Sequence, residues 1–121
     1  MPGESILIVD DDLSLREFLG ILLARDGYAV RAAASGEAAM AAVETEWPDL
    51  VLTDLVLPDG TGRDVAAQTA GLQPAPRLLF MSGHGRDEAL ESVILRAADP
   101  LLTKPFTARE LLSQVADALA R

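Results

Sequence analysis

The chain has 121 residues, half of them hydrophobic, 24% charged, and a formal net charge of −9. That length supports one domain around one core, and its acidity argues against a nucleic-acid surface, which needs clustered positive charge. The absence of cysteine excludes disulfides and thiolate chemistry; with no apolar run long enough for a membrane span and no signal peptide at the start, a cytoplasmic location without membrane contact is expected.

The opening Met1–Glu4 carries no structure signal, and order is expected over about residues 4–120. Ser5–Val9 is a run of Ile, Leu and Val that ends abruptly in Asp10, Asp11 and Asp12, as a buried strand does at its C-terminal edge. Leu13–Arg25 reads as a helix with Leu15, Phe18, Leu19 and Leu22 on one face, capped by Asp12 and stopped near Gly27. Ala29–Ala32 is a weak strand. Ser35 is an N-cap for a helix running to about Thr45, and Pro48 breaks the chain before the apolar strand Leu50–Thr53, which also ends in an aspartate, Asp54. Pro58-Asp59-Gly60-Thr61-Gly62 is turn chemistry, followed by a short helix over Arg63–Ala70.

The second half keeps the rhythm. Arg77–Met81 reads as a strand, Asp87–Ala97 as a helix with Ala89, Val93 and Leu95 among its apolar positions, and Leu101–Thr103 as a brief strand. Thr107 caps a last amphipathic helix through Leu111, Leu112, Val115 and Leu119. Five strands, each followed by a helix, imply one α/β domain over residues 1–121 with a parallel sheet covered on both faces.

Open sheets of this class place their sites outside the C-terminal strand ends. There the chain puts Asp10, Asp11, Asp54, Ser82 and Lys104. The acidic excess is lopsided in the same direction, with twelve acids against three bases in residues 1–60 and seven of each in residues 61–121. Clustered carboxylates repel unless a cation neutralises them, and an all-oxygen set with room for water suits Mg²⁺. In such a cluster Asp54 offers a carboxylate nucleophile, Lys104 a positive charge for a developing oxyanion, and Ser82 a hydroxyl donor. Lys104 is the only lysine beside nine arginines, so a compact point charge is retained where a planar fork is the chain's habit.

The segments Ile6-Leu-Ile-Val-Asp-Asp-Asp, Leu52-Thr-Asp-Leu-Val-Leu-Pro-Asp-Gly-Thr-Gly, Phe80-Met-Ser-Gly and Lys104-Pro-Phe, in this order, resemble the response-regulator receiver family of two-component signalling. The resemblance covers nearly the whole chain and implies a flavodoxin-like, doubly wound five-stranded parallel sheet of order 2-1-3-4-5 with five helices. It implies that Asp54 is the phosphoacceptor, and that Asp10, Asp11, Asp54 and the backbone carbonyl of Val56 are the ligands of Mg²⁺. Ser82 and Lys104 match the family's hydroxyl and lysine, and the Lys104–Pro105 peptide bond is expected to be cis. A signalling module is implied rather than an enzyme, taking its phosphoryl group from a histidine kinase or a histidine phosphotransfer protein and working as a monomer or weak dimer. Ser14, Leu15, Phe18, Pro105 and Phe106 match the docking surface for that partner. The Phe-Met-Ser-Gly and Lys-Pro-Phe segments further resemble terminal receivers of hybrid histidine kinases. No kinase or effector segment is recognisable in the sequence.

Leu101 departs from the family, standing three residues before the lysine where an aromatic commonly serves as the switch. Val56 and His84, two residues beyond Asp54 and Ser82, occupy positions where the family tunes loss of the phosphoryl group. An apolar Val56 cannot orient a water, and His84 reads as a loop histidine rather than a phosphodonor. Two other classes compete. An interaction module that has lost phosphotransfer is disfavoured by the full set of site residues. A Mg²⁺-dependent phosphatase with an aspartate nucleophile would use an Asp-x-Asp pair on the first strand, which Asp10 and Asp12 supply formally, but its companion motifs are missing.

Overall fold

Ile6, Leu7, Ile8 and Val9 are all fully buried. A strand apolar on both sides must lie inside a sheet covered on both faces, and the computed structural model, which describes residues 3–82 and 100–120, has that architecture. Its elements in chain order are β1 (Ser5–Val9), α1 (Leu13–Arg25), β2 (Ala29–Ala33), α2 (Gly36–Thr45), β3 (Leu50–Asp54), β4 (Val56–Leu57), β5 (Gly60–Thr61), α3 (Gly62–Thr69), β6 (Arg77–Ser82), β7 (Leu101–Thr103) and α4 (Ala108–Ala120). Five strands form one parallel sheet in the order β2-β1-β3-β6-β7. This is the expected flavodoxin-like order. The expected helix over residues 87–97 lies outside the described residues.

Alternation along the strands divides the core. Ile6 and Ile8 of β1, Leu50 and Leu52 of β3, Leu79 and Met81 of β6 and Leu102 of β7 pack with Leu19 and Leu23 of α1 and with Leu111, Val115 and Ala118 of α4. Leu7, Val9, Val51 and Ala33 point the other way, against Ala39 and Val43 of α2, Val65 of α3 and Leu57. Each fully buried Leu or Ile contributes roughly 1.5–3 kcal/mol. The sheet is thus wound on both faces, with every strand running its C-terminal end to the same edge.

Local signals account for the helix ends. The Asp12 side chain accepts from the Leu15 N–H, and Ser35 accepts from the Ala38 N–H. Thr107 and Glu110 close a reciprocal cap before α4, since each side chain accepts the other's backbone N–H. Gly27, with φ of 97°, takes the left-handed turn that ends α1. One expectation is narrowed here. Of the residues read onto one apolar face of α1, Leu19 is fully buried with Leu23, while Phe18, read also as an edge position, is 49% exposed. Successive helical positions rotate by about 100°, so Leu19 and Leu23 point into the core while Phe18 falls to the side.

A second difference concerns residues 56–61. They were legible only as a turn, yet they form a small antiparallel hairpin, Val56 paired with Thr61 and Leu57 with Gly60. Leu57 is buried in the α2/α3 side of the core, and that anchor turns a polar-looking segment into ordered structure.

Candidate functional site

Among the described residues, the buried charges lie at the C-terminal edge of the sheet. Asp10, directly after β1, is fully buried, and Asp54, the last residue of β3, is 9% exposed. Lys104 follows β7, and its Nζ lies 2.9 Å from Asp10 Oδ2 and 3.3 Å from Asp54 Oδ2. Asp11 is exposed beside them; carboxylate oxygens of Asp10, Asp11 and Asp54 all lie within 4.8 Å of one another. Among the described residues, two buried carboxylates therefore share one ammonium group with the exposed Asp11 carboxylate beside them, and the cluster is short of positive charge.

The remaining bonds hold this arrangement in place. Asp10 Oδ1 accepts the Asp12 N–H at 2.9 Å, so both oxygens of that buried carboxylate are engaged. Asp54 Oδ1 accepts the Leu55 N–H at 3.1 Å. Burial pushes the Asp54 carboxyl up from 3.8 to about 6; the Lys104 charge opposes that rise and the Asp10 charge adds to it. Burial also works to lower the Lys104 ammonium, but the Asp10 hydrogen bond and the Asp54 and Asp10 charges outweigh it and hold the group above its ordinary value. The two directions agree: the lysine is strongly held by acid, while burial leaves Asp54 incompletely compensated. An oxygen-only donor set with an excess of negative charge fits a hard divalent cation such as Mg²⁺ better than a softer metal.

Most of the expected residues converge on this edge. Asp10, Asp11, Asp54 and Lys104 do so directly. Ser82, 8% exposed, ends β6 one position beyond Met81, which is paired with Asp54. Val56 opens the hairpin immediately beyond β3. The Lys104–Pro105 peptide bond is cis, as expected. Asp12 does not join the cluster but caps α1, which leaves the Asp-x-Asp spacing without a shared site. Leu101 is half-buried on β7 opposite Phe80. His84 lies outside the described residues. Of the expected docking positions, Ser14, Phe18 and Pro105 are exposed, whereas Leu15 and Phe106 are half-buried and pack against the core.

Three supporting residues were not foreseen. Arg16 reaches back from α1 to donate to the Asp10 carbonyl at 2.7 Å. Gly62 starts α3 so close to β3 that a Cβ there would collide with the Asp54 carbonyl oxygen. Asp59, read only as a turn residue, accepts the Gly36 and Glu37 N–H groups at the start of α2, each at 2.9 Å. The six-residue step from Asp10 to Arg16 has no fixed meaning without the helix start between them. The Gly in Thr61-Gly62 was a visible signal, but it was read as turn chemistry.

Comparison with known proteins agrees with this geometry. A family model described as the response regulator receiver domain matches residues 6–116. The sensory transduction protein RegX3 of Mycolicibacterium smegmatis is 34% identical over 119 residues, covering 97% of this chain and 51% of that protein. The alkaline phosphatase synthesis transcriptional regulatory protein PhoP of Bacillus subtilis is 36% identical over 121 residues, covering 98% of this chain and 50% of that protein. The chain thus spans about half the length of these curated relatives. Among solved structures, a putative response regulator from Chloroflexus aurantiacus superposes with a TM-score of 0.83 at 32% identity, covering 98% of this chain and 99% of that one. These named relatives are regulators, and they lend no support to the expected kinship with hybrid kinases. Among the described residues, no helix is long and apolar enough to cross a membrane.

Proposed function

The chain belongs to the response regulator receiver domain family of two-component signalling, and from that premise we propose that it accepts a phosphoryl group on Asp54 from a phosphohistidine partner, with Mg²⁺ as cofactor. The observation that carries the proposal is the unbalanced cluster at the strand ends, where Asp10 and Asp54 share the ammonium of Lys104 and the Asp11 carboxylate stands beside them. A buried excess of carboxylate charge is costly to maintain for structure alone. It is explained if a divalent cation and then a phosphoryl group occupy that edge.

In this reading Asp10, Asp11, Asp54 and the Val56 carbonyl hold Mg²⁺, which when bound supplies charge neutralisation for the phosphoryl oxygens. An ionised Asp54 oxygen attacks phosphorus as the phosphorus–nitrogen bond of the donor phosphohistidine breaks, and the electron pair leaves with the imidazole. Lys104 meets the charge on the transferred group, and the Ser82 hydroxyl donates to one of its oxygens. The donor is a histidine kinase or a histidine phosphotransfer protein. Its docking on this side is supported by Phe18 and by Leu13 and Ile21, which are 49%, 59% and 56% exposed along α1, with Ser14 and Pro105 beside the site. Leu101 has no ring hydroxyl, so the signal leaves without a hydrogen-bonded aromatic rotation. The domain acts as a signalling module that assists its own phosphorylation.

Beryllofluoride, a phosphoryl mimic, tests this reading. With Mg²⁺ present it is expected to shift the amide resonances of Asp10, Asp54, Ser82 and Lys104 in the wild-type chain and to leave Asp54→Asn unchanged. The same shifts in both chains would remove Asp54 from the acceptor role.

A further inference from the structure

The start of α2 is held from two directions. Ser35 caps it locally, with Oγ accepting from Ala38 N–H at 3.1 Å and the Ser35 carbonyl accepting from Ala39 N–H at 2.9 Å. The two preceding donors, Gly36 and Glu37, are taken by the carboxylate of Asp59, one oxygen each at 2.9 Å, from more than twenty residues away. Those two hydrogen bonds hold the Asp59 carboxyl below its ordinary value. Asp59 is exposed, so water could satisfy the same donors and helix capping alone does not require this residue. What water cannot supply is a tether between α2 and the tip of the hairpin.

That hairpin has only two residue pairs, Val56 with Thr61 and Leu57 with Gly60. A ribbon this short is not stable by itself. Its base is fixed: Gly62 N–H donates to the Leu55 carbonyl at 2.9 Å, and Thr61 and Asp64 close a reciprocal cap that fixes the start of α3. Leu57 is buried against α2 and α3. The tip, Pro58-Asp59-Gly60, is exposed; Asp59 ties it to α2, and Gly60 lies close to the Asp64 side chain of α3. Val56, paired with Thr61, stands on the strand that runs from the end of β3 to this tip, one residue pair below it.

We infer that Asp59 is a positioning residue for the divalent-cation site, tying the hairpin tip to α2 so that the backbone of Val56 is held beside Asp54. The inference rests on the proposed cation site, and it gives the contact between residues 59 and 36–37 a role in cation affinity. It also makes α2 and the cation site neighbours in energy: breaking the Asp59 tether to α2 loosens a ligand-bearing strand.

The test is Mg²⁺ titration by calorimetry of the full chain and three variants, with thermal unfolding measured alongside. Asp59→Ala is expected to weaken Mg²⁺ binding roughly tenfold, the lower end of the cost of losing an outer support of a metal ligand. Asp59→Asn, which removes the charge and keeps one of the two acceptor oxygens, is expected to fall between wild type and Asp59→Ala. Ser35→Ala removes the other cap of the same helix end and is expected to lower thermal stability with Mg²⁺ affinity unchanged. Affinity in Asp59→Ala equal to wild type would overturn the inference, as would equal loss in Asp59→Ala and Ser35→Ala. Equal loss in Asp59→Asn and Asp59→Ala would reduce the effect to remote charge and overturn it too. A wild-type chain that binds no Mg²⁺ would overturn the cation site itself, and this inference with it.

Discussion

The two edges of the sheet both carry aspartate, and they use it differently. At the N-terminal edge, Asp49 precedes β3, is exposed, and accepts the Ser5 N–H at 2.7 Å while its own carbonyl accepts from Arg77 N–H at 2.9 Å. That is a single residue, open to water, whose carboxylate ties the start of β3 to β1 and whose backbone carbonyl ties it to β6. At the C-terminal edge, Asp10 and Asp54 are buried and share one lysine, while the Asp11 carboxylate adjoins them. Residue type therefore does not distinguish a structural aspartate from a chemical one. Burial and the local balance of charge do, because ionised groups in a poorly solvated place must be neutralised by something.

Four changes would break or sharpen that contrast. The largest effect is expected from Gly62→Ala, which forces a Cβ against the Asp54 carbonyl oxygen. It should destabilise the fold by roughly 2–3 kcal/mol in urea unfolding, with loss of Mg²⁺ affinity, as overpacking against backbone does. Unchanged stability would mean that α3 can move away from β3 freely.

Asp54→Asn comes next, and its sign is opposite. Burial raises the Asp54 carboxyl from 3.8 to about 6, so the folded chain binds its proton more tightly than the unfolded chain does. Stability from this group is present below the ordinary carboxylate value and falls as pH rises from 3.8 to about 6. In metal-free buffer at pH ~7, Asp54→Asn should be more stable than wild type by about 1–2 kcal/mol, a figure reduced for the water that still reaches the group, with the gap closing below pH ~4. A variant less stable than wild type at neutral pH would contradict the excess of negative charge at this edge.

Asp49→Ala should cost about 1 kcal/mol, one hydrogen bond from an exposed acceptor, with no change in Mg²⁺ affinity. A change in that affinity would blur the distinction between the edges. The smallest effect on the fold is expected from Val56→Asn, where an amide replaces a branched apolar side chain beside the acceptor. The phosphorylated chain should lose its phosphoryl group several-fold faster, with unfolding shifted by less than about 0.5 kcal/mol; loss no faster than wild type would remove Val56 from control of lifetime.

Much of this molecule was legible in the sequence because local and global signals agree. Ser5–Val9, Leu13–Arg25 and Leu101–Thr103 have the bounds their apolar runs and caps announce, and acid directly after two buried strands located the site. What escaped were relations across the fold. The Phe18 side chain shares the helical spacing of core residues, yet it stands half in solvent at the edge of α1. The hairpin at 56–61 is too short for periodicity to reveal, and it depends on Leu57 finding a place against α2 and α3. The partners of Asp59 and Arg16 are backbone groups, which the sequence does not distinguish from one another. The sequence placed Lys104 at the same edge, and the fold adds that its ammonium, fifty residues on from Asp54, stands 3.3 Å from that carboxylate.

The most direct test of the account is exposure of the wild-type chain and Asp54→Asn to acetyl phosphate and Mg²⁺, followed by intact-mass measurement. The account predicts addition of one phosphoryl group to the wild-type chain, dependent on Mg²⁺ and lost on prolonged incubation, and none to Asp54→Asn. Equal labelling of the two chains, or a wild-type chain that never labels while its fold is intact, would contradict it.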